Sequence, residues 1–103
     1  MTDLRVLVVE DEPVMRARLR DMLYRAGATR VVEAEDAASA RAAFEASEYH
    51  IVLLDLGLPD EDGHELMNAF KARRESQHIV LVTADDSIDS IQRAISAGAN
   101  GYV

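Results

Sequence analysis

The chain has 103 residues, 49% apolar and 29% charged, the mix of one soluble globular domain with no length left for a second. Its net charge of −8 repels phosphate backbones and anionic lipid, so direct nucleic-acid binding and membrane attachment are not expected. It holds no cysteine, which excludes disulfides, thiolate metal sites and cysteine nucleophiles. The start, MTDLRVLVVEDE, lacks the pattern of a signal peptide, and no apolar run approaches the roughly 20 residues of a membrane span, so a cytoplasmic location is expected.

Short runs rich in Val, Ile and Leu at Leu4–Val9, Val31–Val32, Ile51–Leu54 and Ile79–Val82, with a last fragment at Tyr102-Val103, predict strands. Between them lie helical patterns. Met15, Leu19, Met22, Leu23 and Ala26 share one face, with Pro13 at the first helical position and Gly27 as the stop. Ala37, Ala40 and Phe44 form a second face behind Asp36, a candidate N-cap. Leu66, Met67 and Phe70 form a third, started by Asp62 and Glu65 in the manner of a capping box. Ile88, Ile91 and Ile95 form a fourth, ending at Gly98. The alternation predicts an α/β fold with a doubly wound parallel sheet. The runs at 4–9, 51–54 and 79–82 do not alternate, as expected of central strands covered on both faces. The run at 31–32 turns acidic quickly, as an edge strand does. With right-handed crossovers the expected order is 2-1-3-4-5.

Ligands bind such sheets beyond the carboxyl ends of the strands, where the winding direction reverses, here between strands one and three. Strand one ends in Glu10-Asp11-Glu12, strand three in Asp55 and strand four in Thr83. Carboxylates that converge must protonate or hold a cation between them. Oxygen donors without His or Cys favour a hard ion, and Mg²⁺ suits two or three protein oxygens, waters and an incoming phosphate. A carboxylate beside such an ion can also attack phosphorus.

Glu10-Asp11, then Asp55-Leu-Gly-Leu-Pro-Asp-Glu-Asp-Gly63, then Thr83-Ala84, then Gly98-Ala-Asn-Gly-Tyr-Val103 resemble the receiver domain of two-component response regulators, from residue 4 to the last. The resemblance implies a five-stranded flavodoxin-like sheet and a single receiver domain over residues 1–103. It implies a signalling switch rather than a turnover enzyme. Asp55 would be the phosphoacceptor, served by a sensor histidine kinase or phosphotransfer protein. Asp11 and Asp55 would ligate Mg²⁺, or Mn²⁺ in its place, with the Gly57 carbonyl, and with Glu10 acting through water. Thr83 would donate to the phosphoryl group, Tyr102 would change rotamer in response, and Gly57 and Asp85 would tune the lifetime of the phosphoryl group. The family's lysine at the end of strand five falls two positions beyond Val103, and the final helix follows it. The expected reading is therefore a piece of a longer regulator, with any effector domain beyond residue 103 and homodimerisation left open.

Other readings compete. A receiver-like interaction module that is never phosphorylated has the same fold. A Mg²⁺ phosphatase with an aspartate nucleophile usually carries a second acid two residues on, where this chain has Gly57. A dinucleotide site would need a glycine-rich loop where Glu10-Asp11-Glu12-Pro13 stands. A calcium loop aligned on Gly63 fails at Leu58 and Ala69. Among the remaining acids, Glu12, Asp60 and Glu61 are expected to be solvated and Asp62 to cap a helix. Thr83 could itself be a cap. His50, His64 and His78 show no ligand spacing, and Arg16, Arg18, Arg20 and Arg25 read as a solvated helix face on which a kinase could dock.

Overall fold

Apolar strands that do not alternate need cover on both sides, and helices supply it here. In the computed structural model, which describes residues 3–55 and 57–82, the order is β1 (Arg5–Val9), α1 (Pro13–Arg25), β2 (Arg30–Ala34), α2 (Ala37–Ala46), β3 (Ile51–Asp55), α3 (Gly63–Arg73) and β4 (His78–Val82). The strands pair in the order β2-β1-β3-β4, all parallel, as the sequence predicts. The predicted fourth helix and fifth strand lie outside the described residues. No described helix is long and apolar enough to cross a membrane.

The two-residue strand period divides the core in two. Val6, Val8, Ile51 and Leu53 face α1, where Leu19, Met22 and Leu23 meet them and Met15 packs from the margin. Leu7, Val9, Val52 and Leu54 face the other way, against Ala37, Ala40 and Phe44 of α2 and Leu66 and Phe70 of α3. The Phe44 and Phe70 rings stack at 4.1 Å between centroids, and the Arg74 guanidinium lies 4.2 Å over Phe44. Stacking and cation–π contact each add to what burial alone gives these rings.

Local chemistry sets the element ends. Pro13 opens α1 as predicted, and Gly27, with φ +112°, follows its C-cap in a conformation that side chains resist. Ala26, expected on the buried helix face, is the C-cap and is exposed, because the helix ends before that position completes the turn. Asp36 caps α2 and exchanges hydrogen bonds with Ser39 in a full capping box. Asp62 caps α3 by accepting from the His64 backbone N–H at 2.8 Å. The reciprocal arm expected from Glu65 is not formed, and Glu65 stands exposed in the first turn, where its charge suits the helix dipole. The second strand is longer than expected, Arg30–Ala34, and is the edge next to β1.

Candidate functional site

β1 and β3 are neighbours in parallel register, with Val9 opposite Leu54, so their carboxyl ends open side by side. α1 packs on one face of this pair and α2 and α3 on the other. The winding therefore reverses between these two strands, and the crevice expected of a doubly wound sheet lies at their ends. Asp55 is the last residue of β3 and shares the strand face of Ile51 and Leu53. Glu10 and Asp11 follow β1 directly.

One carboxylate oxygen each from Glu10, Asp11 and Asp55 lie within 4.8 Å of one another. Their surroundings differ. Glu10 is only 6% exposed, Asp55 is half-buried and Asp11 is exposed. Burial is the main force on the Glu10 carboxyl. The Glu12 backbone N–H opposes it by donating to Glu10 Oε2 at 3.2 Å, and Asp55 and Asp11 reinforce it, so that Glu10 titrates at about 7 rather than 4.5. Among the described residues, no lysine or arginine forms an ion pair with any of the three. The donors are all carboxylate oxygens, one already resisting ionisation, and mutual repulsion of this kind is relieved by a hard divalent cation. The donor set thus fits Mg²⁺ or Mn²⁺.

The backbone around the acids is held from several sides. Glu10 N–H donates to the Ala34 carbonyl at 3.0 Å, continuing the β1–β2 ladder past its last pair. Arg16 Nη1 donates to the Glu10 carbonyl at 2.9 Å, and its Nε donates to Glu33 Oε1 at 3.3 Å on the edge strand. Glu12 is exposed, as expected of a solvated acid, and in addition accepts from Val14 N–H as the N-cap of α1. On the other wall, Gly57 N–H donates to Asp55 Oδ1 at 3.0 Å. A Cβ at Gly57 would stand 3.7 Å from that same oxygen, an ordinary contact, so packing alone does not require glycine there.

Asp60 and Glu61, expected to be solvated, are engaged as well. Asp60 accepts from the backbone N–H groups of Ala37 and Ala38 at 2.9 and 3.1 Å. Glu61 pairs with Arg41 of α2. Neither has a local signal, since their partners lie 20 or more residues away. Glu12 had one: an acid directly before a proline at the first helical position. Of the predicted site residues, Glu10, Asp11, Asp55 and Gly57 come together; Thr83, Tyr102 and Asp85 lie outside the described residues.

Comparison with known proteins points one way. A family model for the response regulator receiver domain matches residues 6–103. The transcriptional regulatory protein PhoP of Escherichia coli (strain K12) is 39% identical over 100 residues, 97% of this chain and 44% of that protein. The chain thus spans less than half the length of this relative. The chemotaxis protein CheY of Pseudomonas aeruginosa is 30% identical over 102 residues, covering 97% of this chain and 82% of that protein. Among solved structures, the response regulator TrrA from Thermotoga maritima, in complex with Mg²⁺-BeF, superposes with a TM-score of 0.84 at 22% identity over 92% of this chain and 98% of that one. The receiver domain of the Francisella response regulator 1452 has the same TM-score at 16% identity, over 96% of this chain and 98% of that one.

Proposed function

The chain belongs to the response regulator receiver domain family, and from that premise we propose that it is a phosphorylation-operated switch with Asp55 as phosphoacceptor and Glu10, Asp11 and Asp55 as the carboxylates around Mg²⁺. The observation that carries this reading is the convergence of three carboxylates within 4.8 Å at the ends of two adjacent strands, one of them titrating at about 7. Such a cluster is costly to hold and is explained by a positively charged ligand.

Bound Mg²⁺ would supply charge neutralisation for the incoming phosphoryl group and for the acids around it. The residues of the chain do the rest. Asp55 Oδ2 is the natural nucleophile, because Oδ1 already accepts from Gly57 N–H. It attacks phosphorus, the bond to the donor histidine nitrogen breaks, and that nitrogen leaves with the electron pair and takes a proton. The Gly57 bond fixes the carboxylate plane, so the attacking oxygen is oriented before the donor arrives. Asp11 and Asp55 would hold the ion directly, with the Gly57 carbonyl, and Glu10 would act through water. Thr83 donates to the phosphoryl group and Tyr102 reports its presence, and the two states are read by partners. The phosphodonor is a sensor histidine kinase or phosphotransfer protein in the cytoplasm, and the output belongs to an effector that reads the switch.

The test is intact-mass measurement of the protein at its natural length with Mg²⁺ and acetyl phosphate. Wild type should gain one phosphoryl group and Asp55→Asn none. An equal gain in Asp55→Asn would overturn the assignment. A Mg²⁺ titration separates this reading from an unphosphorylated receiver-like module, which would bind no metal at the three acids.

A further inference from the structure

The sequence run Asp60-Glu61-Asp62 has no place in the chemistry above, yet each member is engaged. Asp62 caps α3. Glu61 reaches across to Arg41 of α2. Asp60 does something less common: its two oxygens accept from two successive backbone N–H groups, Ala37 and Ala38, at the start of α2. The third free N–H of that turn, Ser39, is already taken by Asp36 at 2.8 Å. Two carboxylates therefore share one helix start. One belongs to the helix itself and the other arrives from the loop that follows Asp55. Asp36 with its capping box serves the Ser39 N–H, and Asp60 serves the two N–H groups before it, so the loop is fastened to the helix start at two points.

That loop carries the site. Four residues separate Asp55 from Asp60 in sequence. Between them Gly57 N–H holds Asp55 Oδ1, and Leu58, 9% exposed, is packed into the α2–α3 side of the core. Among the described residues, the loop from Pro59 to the α3 cap is otherwise tied to α2 by Glu61, whose two oxygens accept from Arg41 Nε and Nη2. Charge-assisted bonds to backbone N–H are stronger and shorter than neutral ones, and the bidentate arrangement fixes direction as well as distance.

We propose that Asp60 is a positioning residue for the phosphoacceptor loop: by gripping the first turn of α2 it holds Gly57 and the Asp55 carboxylate in the geometry that binds the cation. The inference rests on the Mg²⁺-dependent reading above. It assigns to α2 a part in the site although no α2 side chain enters it, and it makes the distance between α2 and β3 a determinant of metal affinity.

Two substitutions at the same helix start separate positioning from mere stability. Asp36→Ala and Asp60→Ala each remove one carboxylate from α2, and both should lower the melting temperature. Only Asp60→Ala should weaken Mg²⁺ binding in a calorimetric titration, by about tenfold, the lower end of what losing an outer support of a metal site costs. Asp60→Asn keeps one accepting oxygen and should fall between wild type and Asp60→Ala; it carries the test if the alanine variant does not fold. In the metal-free chain the Gly57 amide should exchange with solvent faster in Asp60→Ala, by NMR, and unchanged in Asp36→Ala. Equal Mg²⁺ affinity and equal Gly57 exchange in wild type and both Asp60 variants would overturn the proposal, as would an equal loss in Asp36→Ala. If Asp55→Asn binds Mg²⁺ like wild type, the functional reading itself fails, and the metal-free exchange measurement still decides whether Asp60 positions the loop.

Discussion

Replacing Glu10 by Gln should make the metal-free protein more stable, although it alters a residue of the site. Glu10 is 6% exposed and titrates at about 7 instead of 4.5. Between those two pH values the folded chain holds a proton that the unfolded chain has released. Stability therefore falls as pH rises through the window, and above it the full cost is present. A displacement of that size corresponds to about 3 kcal/mol. Gln removes the charge and keeps an oxygen for the Glu12 N–H, and the weakening of that bond on losing the charge is already contained in the displacement. The net gain at pH 8 should be about 1–3 kcal/mol, or a rise in melting temperature of about 5–15 °C for a domain of this size. At pH 4 the wild-type carboxyl is already protonated and the two proteins should melt together. Thermal unfolding followed by circular dichroism at pH 4, 6 and 8, without divalent ions, checks this. Saturating Mg²⁺ at pH 8 should then raise the wild type more than Glu10→Gln, because the ion offsets the repulsion the variant has lost. A variant no more stable than wild type at pH 8, or a gain equal at all three pH values, would refute the reasoning.

Other substitutions test the frame around the site. Phe44→Ala removes a ring that is 1% exposed and stacked on Phe70, and should cost about 3–5 kcal/mol in urea unfolding. Gly27→Ala meets no atom within 4 Å, so its cost comes only from φ +112° and should be about 1–2 kcal/mol. The Ser39 hydroxyl and N–H hold the Asp36 carboxyl below its ordinary value of 3.8. Its contribution is present above that value and is lost as pH falls through the lower folded-state value, so Asp36→Ala should flatten the acid limb of the stability–pH curve and leave its shape above pH 5 unchanged.

The parts of this fold legible in the sequence are those written within a short window. The apolar runs fix the strands because burial on both faces leaves no room for polar alternation, and Ile51–Leu54 is entirely buried as that pattern requires. Asp36 and Asp62 are visible as caps because a cap and its partner are two or three residues apart. Glu10, Asp11 and Asp55 could be brought together only through the topology rule that places a crevice at the reversal of winding. Asp60 and Arg16 escape such reasoning. Asp60 meets backbone 22 and 23 residues away, and Arg16 holds a carbonyl, which any residue carries. A helical periodicity cannot show where a helix stops short, so Ala26 was expected inside and lies outside.

The alternation of β1 has a consequence for how this chain can change over evolutionary time. Val6 and Val8 serve one core, Leu7 and Val9 the other, and the ladder continues one step further to Glu10. The strand is thus a ruler read from both sides and at its tip. Deleting or inserting one residue within it would exchange the two cores' contributions, slide the acids by about 3.3 Å and turn them to the opposite face. Length changes should be confined to connections such as Gly27–Thr29, where a turn can absorb them. Between Arg5 and Asp11 the chain can change its letters only in step, and never its count.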